Sequence, residues 1–296
     1  MKKFQVITDS TSDLEKKFRD EYEIDYFQMS FSIDNVEYKA NLDWEKMSPL
    51  EYYTMMRNGK RSITSFPSQE EFEGKMRKYL EEGTDILYIA CSTKLSGSRN
   101  NAEKVALELL KEYPDRRIEC FDSLRSNYSE GLMAIDAAKL ALDGKTMDEV
   151  LEYLNANVLK YQVHAIVGSL EWLKKAGRVK ASKAFFGTLM QVKPVICSDA
   201  HGNNYAYEKV FGRKKSIERL LDIITERFDD PENHMICIEH ADCIEEANYV
   251  KEQLEERCHP MAINISDVGP IIGATVGPDT ITVSFYGKEV TIFDKE

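Results

Sequence analysis

The chain has 296 residues, of which 43% are hydrophobic and 30% are charged, a composition typical of a globular protein large enough for two domains. Its net charge of −12 opposes binding to nucleic acids and to anionic membrane surfaces, so we expect neither as a partner. The longest apolar stretches, such as residues 86–90, have the length of strands and are too short for a membrane-spanning helix.

The cysteines and histidines indicate neither disulfides nor a metal site. None of the six cysteines forms a C-x-x-C pair, and Cys91, Cys120, Cys197 and Cys237 fall in apolar runs, as reduced core residues do. The five histidines show none of the spacings of a metal motif. The N-terminus runs into a strand without the apolar stretch of a signal peptide. We therefore predict a cytoplasmic protein that uses no metal or other cofactor.

In chain order, the first half of the sequence alternates strands with helices. Apolar runs predict strands over residues 4–8, 86–91 and 117–122, and a hairpin over 26–39 that turns at Asp34-Asn35. Helical periodicity predicts helices over 49–57, 70–80, 98–112 and 129–142. This alternation favours a mostly parallel sheet that is covered by helices on both faces.

The second half of the sequence has a different pattern. A polar connection at 143–145 and a helix over 147–158 predict the end of a first domain. Strands at 195–198 and 205–210 flank a turn sequence and predict an antiparallel ribbon, whereas the glycines of segment 269–278 predict two turns. We therefore predict an α/β protein with a mostly parallel α/β domain over residues 1–158 and a mixed α+β, lipid-binding domain over 159–296.

Three hydroxyl-rich loops follow predicted strands in the first half, at residues 8–12, 64–68 and 95–98. In an open α/β sheet the carboxyl ends of the strands and the adjacent helix N-termini form a crevice with free N–H groups. Taken singly, each loop is also explained by helix capping, since Ser68 with Glu71 matches a capping box. The coincidence of three such loops favours a neutral cradle for one anionic head group.

Two residues of these loops raise the alternative of an enzyme. Asp9 follows the first strand as the nucleophile does in haloacid-dehalogenase phosphatases, but their second aspartate, two residues later, is replaced here by Thr11. Ser96 lacks the G-x-S-x-G elbow and a histidine base among the same strand ends. We keep a small-molecule hydrolase or phosphatase that uses Asp9 or Ser96 as the alternative function. A simpler role for Asp9 is to accept hydrogen bonds from loop N–H groups.

Five motifs in order resemble the DegV family across the whole chain: residues 6–14 (VITDSTSDL), 64–68 (TSFPS), 95–98 (LSGS), 177–179 (GRV) and 272–278 (IGATVGP). The resemblance implies a bacterial, non-enzymatic carrier that buries a long-chain fatty acid in a tunnel and presents its carboxylate to a partner fatty acid kinase. It also implies roles for individual residues. The carboxylate would be bound by Thr64, Ser65, Ser96, Gly97 and Thr275, and the kinase would be faced by Arg178 and Arg213.

The sequence departs from the family pattern at two positions. Thr275 stands where the family has a histidine near the head group, and Phe211 stands where an arginine is common. We therefore expect the hydroxyls of Thr64 and Ser96 to carry more of the head-group binding here. The tunnel supplies the affinity, since each buried methylene is worth about 0.8 kcal/mol. Candidate tunnel residues are Phe185, Phe186, Leu189 and Met190.

Overall fold

The structure is a computed structural model that describes residues 4–180 and 191–291. Its strands are β1 (Phe4–Asp9), β2 (Asp25–Phe27), β3 (Met29–Ile33), β4 (Val36–Ala40), β5 (Ser62–Ser65), β6 (Asp85–Ala90), β7 (Ile118–Asp122), β8 (Tyr161–Ile166), β9 (Val179–Lys180), β10 (Val192–Ser198), β11 (Asn204–Phe211), β12 (Ile236–His240), β13 (Ile263–Asp267) and β14 (Ile281–Tyr286). Its helices are α1 (Lys16–Glu21), α2 (Pro49–Arg57), α3 (Gln69–Glu81), α4 (Ser98–Glu112), α5 (Asn127–Leu142), α6 (Met147–Asn157), α7 (Leu170–Ala176), α8 (Arg213–Arg227), α9 (Ile244–Cys258) and α10 (Pro270–Val276).

Four parallel strands form the first sheet, in the order β2-β1-β6-β7. The central strands β1 and β6 are apolar and buried because helices cover both faces of the sheet. The pair α3 and α4 packs on one face through a cluster that includes Phe72, Met76 and Ala106. On the other face lies α5, which is buried along most of its length. The predicted parallel α/β arrangement is confirmed.

A mixed sheet of seven strands follows, in the order β13-β12-β14-β8-β10-β11-β9. The predicted antiparallel ribbon is confirmed, since β10 and β11 pair from Val192 with Phe211 to Ser198 with Asn204. Helices α8 and α9 share an apolar cluster with one face of this sheet. Helix α5 contacts both β1 and β14, so it lies between the two large sheets. The domain boundary at residue 158 stays a prediction.

A small antiparallel sheet, β4-β3-β5, stands beside the two large ones. The predicted hairpin accounts for β3 and β4, but the sequence analysis missed β5, which is only four residues long. The sheet is fixed to the second half of the chain by α2. There the Tyr52 hydroxyl donates to the Pro270 carbonyl at 2.8 Å, and Arg57 forms an ion pair with Asp279 at 2.7 Å.

Segment 269–278 was wrongly predicted as two turns, because residues 270–276 form the helix α10. A helix of seven residues is too short to show helical periodicity, and its glycines resemble turn signals. Pro270 occupies the first helical position, and Gly277 ends the helix at a φ of +72°. Gly273 allows close packing, since a Cβ there would lie 2.6 Å from the Tyr53 hydroxyl.

Two sequence predictions fall outside the part of the chain that the structure describes. The helix predicted over residues 182–190 and the candidate tunnel residues Phe185, Phe186, Leu189 and Met190 lie there. Among the described helices, none combines the length and the apolar character that crossing a membrane requires.

Candidate functional site

A cavity of about 210 Å³ lies where β1 and β6 end, between the first sheet, the small sheet and α10. Residues from both halves of the chain line it, and they include hydroxyl and amide side chains as well as aliphatic ones. The described lining residues are Thr11, Met29, Thr64, Phe66, Cys91, Leu95, Ser96, Gly97, Ser126, Asn127, Arg178, Asn204, Ile271, Ile272, Thr275 and Val276.

The cavity brings together four of the residues proposed for a carboxylate site. Thr64 comes from β5, Ser96 and Gly97 come from the loop before α4, and Thr275 comes from α10. The four are separated by up to 211 positions in the sequence but line the same cavity. Ser96 is oriented by its neighbour Ser98, whose N–H donates to Ser96 Oγ at 3.2 Å and whose hydroxyl lies 2.8 Å from it.

Gly97 allows a close approach at the beginning of α4. A Cβ on Gly97 would lie 3.3 Å from Asn101 Nδ2 and 3.4 Å from the ring of Phe66. The first N–H groups of a helix have no partner within the helix and carry its positive dipole. The N–H groups at the beginning of the 15-residue helix α4 are therefore further hydrogen-bond donors for a ligand, beside the hydroxyls of Thr64 and Ser96.

Two of the predicted site residues lie away from the cavity wall. Ser65 is exposed and is not among the lining residues, because successive side chains of β5 point to opposite faces and Thr64 takes the inward position. Arg213 begins α8 and forms an ion pair with Glu246, with its Nε 3.0 Å from both carboxylate oxygens. By contrast, Arg178 is exposed and lines the cavity at its mouth.

Three polar lining residues, Ser126, Asn127 and Asn204, were not predicted from the sequence. Ser126 and Asn127 stand at the beginning of α5. Serine and asparagine are common at the beginning of any helix, so their presence in the sequence does not indicate a binding site. The signal that distinguishes Asn127 is conformational, since its φ is +59° and few residue types other than glycine, asparagine and aspartate adopt that region readily. Such a φ cannot be read from one sequence.

A second, smaller cavity of about 20 Å³ continues the first one inward. The two share Asn127, Asn204 and Val276. Beyond them the inner cavity is lined mainly by apolar side chains of β8, β9 and β10. These described residues are Val163, Ala165, Val179, Ile196 and Cys197, with Thr282 from β14. The outer cavity therefore has a mixed lining of hydroxyl, amide and apolar side chains, and the inner one is more strongly apolar.

The charges at the cavity are few. Among its described lining residues, Arg178 is the one cation and none is a histidine. Thr275 occupies the position at which the sequence departs from the family pattern. Hydroxyl and N–H donors therefore dominate the wall near Ser96, and a carboxylate held there would depend on them.

The geometry does not favour a hydrolase that uses Asp9 or Ser96. Asp9 is fully buried and is not among the lining residues; its Oδ1 accepts the Thr11 N–H at 2.9 Å and its Oδ2 accepts the Cys91 N–H at 3.4 Å. Asp9 thus holds two loops in place, as the sequence predicted. The Ser96 hydroxyl has Ser98 as its neighbour, and the described lining offers it no histidine as a base.

A buried pair of carboxyl groups, Asp13 and Glu239, lies near the beginning of α5. The Gly269 N–H donates to Asp13 Oδ2 at 2.9 Å and the Thr282 hydroxyl donates to Glu239 Oε2 at 2.8 Å, whereas Asp13 Oδ1 and Glu239 Oε1 are buried and have no hydrogen-bond donor among the described residues. Burial, followed by the repulsion from Glu239, raises the pKa of Asp13 well above its usual range. Burial raises the pKa of Glu239 as well, and we expect the pair to share one proton.

We expect this pair to make the folded state less stable as the pH rises. A carboxyl whose pKa is raised by folding binds its proton more tightly in the folded state, so stability is lost as the pH rises from about 4 toward the folded-state pKa. In Glu239→Gln the amide can donate to an ionised Asp13 and no proton needs to be shared. Between about pH 6 and pH 9 we expect Tm to decrease less in this variant than in the parent protein. The difference corresponds to roughly 1–3 kcal/mol in the free energy of unfolding.

Thermal unfolding followed by circular dichroism at several pH values measures this difference. A Tm that rises with pH in the parent protein, or an equal decrease in both proteins, would show that Asp13 and Glu239 do not share a proton.

The fold and the cavity together define a known class of proteins. A family model described as uncharacterised proteins of the DegV family matches residues 3–288, and this chain belongs to that family. A DegV domain-containing protein of Clostridium perfringens is 34% identical over 287 residues, which cover 97% of this chain and 98% of that protein. The family resemblance of the sequence is thereby confirmed.

Solved structures of the same family have the same fold. A DegV lipid-binding protein from Thermotoga maritima superposes with a TM-score of 0.85 at 26% identity, covering 98% of this chain and 100% of that chain. A DegV family protein from Thermus thermophilus, whose structure is described for its fatty acid binding, superposes with a TM-score of 0.85 at 27% identity. It covers 97% of this chain and 100% of that chain.

Proposed function

We propose that this protein binds one long-chain fatty acid and carries it without changing it chemically. The observation that carries the proposal is the continuity of a hydroxyl-lined outer cavity with an apolar inner one, through Asn127, Asn204 and Val276. An amphipathic ligand with one anionic end and a long apolar tail matches this polarity. The lipid-binding and fatty-acid-binding relatives described above support the same conclusion.

The two ends of the ligand have different tasks in this proposal. The carboxylate is held at the mouth by Thr64 and Ser96, with the N–H groups at the beginning of α4 and Thr275 beside them, and it depends little on cations. The tail supplies most of the affinity, since each methylene removed from water is worth about 0.8 kcal/mol. The hydroxyls then decide which head group is accepted and which way the ligand lies.

A further part of the proposal is that the bound carboxylate is presented to a partner kinase. Arg178 supports this, because it is exposed at the mouth of the cavity, where a protein that reaches the head group must come close. Arg213 would contribute to the same partner surface through its ion pair with Glu246, which is partly accessible.

Carriage without catalysis is favoured over hydrolysis by the surroundings of Asp9 and Ser96, as described above. The alternative of a hydrolase or phosphatase predicts turnover of simple phosphate or acyl esters, abolished by Asp9→Asn or Ser96→Ala. We also propose that the protein acts in the cytoplasm. The six cysteines support this, since all are free thiols and Cys91, Cys197, Cys237 and Cys243 are buried.

Native mass spectrometry of the protein purified from bacterial cells tests the proposal. We expect one bound acyl chain per polypeptide, with a mass that corresponds to a long-chain fatty acid and that disappears after delipidation. Re-addition of palmitate to the delipidated protein should restore the same one-to-one complex. A delipidated, folded protein that takes up no fatty acid would contradict the proposal, and ester turnover by this protein would favour the alternative.

A further inference from the structure

Two buried carboxyl groups meet at one hydroxyl directly behind the cavity wall. Thr11 Oγ1 lies 2.5 Å from Asp9 Oδ1 and 2.7 Å from Glu130 Oε2, and Thr11 itself lines the cavity. Both distances are those of hydrogen bonds. A hydroxyl carries one proton and can donate only one such bond. One of the two carboxyl groups must therefore be protonated and donate to Thr11.

The other contacts of the two carboxyl groups decide which of them holds the proton. Asp9 accepts three further hydrogen bonds, from the Thr11 N–H at 2.9 Å, the Tyr88 hydroxyl at 2.5 Å and the Cys91 N–H at 3.4 Å. Donors of this kind stabilise a charged carboxylate. Glu130 accepts two further bonds, from the Thr8 hydroxyl at 2.8 Å and from the Asp9 N–H. The proton therefore belongs on Glu130, which donates to Thr11, and Thr11 donates to Asp9.

The surroundings also favour a neutral Glu130. Both carboxyl groups are fully buried, and neither forms an ion pair within residues 4–180 and 191–291. Burial, followed by the repulsion from Asp9, raises the pKa of Glu130 well above its usual range. The other titratable groups whose charges interact with Glu130 are Asp13 beside the first turn, Tyr88 on β6 and Cys91 after β6. All of them are neutral or negative, so none stabilises an ionised Glu130.

We propose that Glu130 holds a proton behind the head-group cavity and that a fatty acid carboxylate binds together with that proton, an inference that rests on the proposed function. The carboxylate would lie at the wall that Thr11 helps to form, one side chain away from Glu130. An ionised Glu130 would repel the ligand and would also deprive Thr11 of its second hydrogen bond. Glu130 thus acts as a positioning residue through Thr11 and does not itself touch the ligand.

The proposal has a thermodynamic consequence. Near neutral pH Glu130 already holds its proton, and the affinity for palmitate is independent of pH. Above the pKa of Glu130 in the empty protein, binding must take up a proton, so the affinity falls by up to about tenfold for each further pH unit. In Glu130→Gln the amide N–H donates to Thr11 at every pH, and this loss of affinity is absent.

Two measurements test the proposal. The infrared difference spectrum between the ligand-free parent protein and Glu130→Gln at neutral pH should show one C=O band of a protonated carboxyl group that the parent has and the variant lacks, whereas the band of any other protonated carboxyl, such as Asp13, cancels because both proteins have it. Fluorescence displacement by palmitate between about pH 7 and about pH 10 should show affinity that falls in the parent and stays level in the variant. If Glu130→Gln does not fold, the band of the parent is titrated instead, and its midpoint should match that of the affinity profile.

The possible results separate this inference from the proposed function. If the parent shows no protonated-carboxyl band at neutral pH beyond those of Glu130→Gln, the inference is overturned, whatever the protein binds. A parent affinity that stays level while the band disappears, or an equal fall in Glu130→Gln, overturns the coupling between proton and ligand. A folded parent protein that shows the band but binds no palmitate at any pH overturns the proposed function, and with it the coupling.

Discussion

A double variant, Thr64→Val with Ser96→Ala, is expected to bind palmitate roughly a hundredfold to ten-thousandfold more weakly than the parent protein. Each substitution removes a hydroxyl donor to an ionised carboxylate, a bond worth about 1.5–3 kcal/mol, and every 1.4 kcal/mol is about tenfold in affinity. Each single variant should lose roughly tenfold to a hundredfold. Binding should weaken but not vanish, because the contacts of the tail remain.

The chain offers a matched control for this variant. Ser65→Ala removes a hydroxyl from the residue next to Thr64, but Ser65 is exposed and lies away from the cavity lining, so its affinity should stay close to that of the parent. Hexadecanol has no charge to stabilise. The ratio of the affinity for palmitate to the affinity for hexadecanol should therefore be smaller in the double variant than in the parent. Unchanged palmitate affinity in the double variant would place the head group somewhere else.

Ile196→Phe is expected to lower the affinity for palmitate by roughly a hundredfold or more while leaving octanoate binding nearly unchanged. Ile196 lines the inner cavity, and a larger ring there displaces the end of a long tail. Excluding about four methylenes costs about 3 kcal/mol at 0.8 kcal/mol each. A short tail ends before the inner cavity and has nothing to lose. A series of saturated acids of increasing length, measured by displacement titration, gives the length at which the two proteins diverge.

Val195→Phe is the control for this substitution. Val195 precedes Ile196 on β10 but packs in the cluster under α8, whereas Ile196 packs in the cluster that includes α10. Overpacking of a core costs about 1–3 kcal/mol of stability in either place, so the two variants should be destabilised similarly. Only Ile196→Phe should shift the preferred chain length. The same shift in both variants would mean that it arises from general loosening of the fold.

Much of the architecture could be predicted because local signals agree with the fold. The helix over residues 98–112 begins and ends where its apolar periodicity does, and α2 begins at the proline that follows Ser48. Apolar runs of four to six residues marked the central strands. The short elements were harder to predict, since β5 is stabilised by its pairing with β3, and α10 by packing on Tyr52 and Tyr53, rather than by their own propensities.

The candidate site could be predicted only in part. Hydroxyl-rich loops predicted after strands led to Thr64 and Ser96. The reason holds for Ser96, which follows β6 of the parallel sheet, whereas Thr64 lies within β5 of the small antiparallel sheet. Ser65 was included because the motif over residues 64–68 was treated as one unit. In a strand, however, successive side chains point to opposite faces, so Thr64 and Ser65 cannot both face the cavity. The proton on Glu130 could not be predicted at all. It follows from the hydrogen bonds that join Thr8, Asp9 and Thr11 to Glu130, which stands 119 residues after Thr11 in the sequence.

The most direct test of this account is a crystal structure of the delipidated protein soaked or co-crystallised with palmitate. The account predicts one palmitate in the cavity, with a carboxylate oxygen within about 3 Å of both Thr64 Oγ1 and Ser96 Oγ and a tail that passes Asn127 and Val276 toward Ile196. A palmitate in the reverse orientation, or one bound elsewhere while this cavity stays free of lipid, would contradict it.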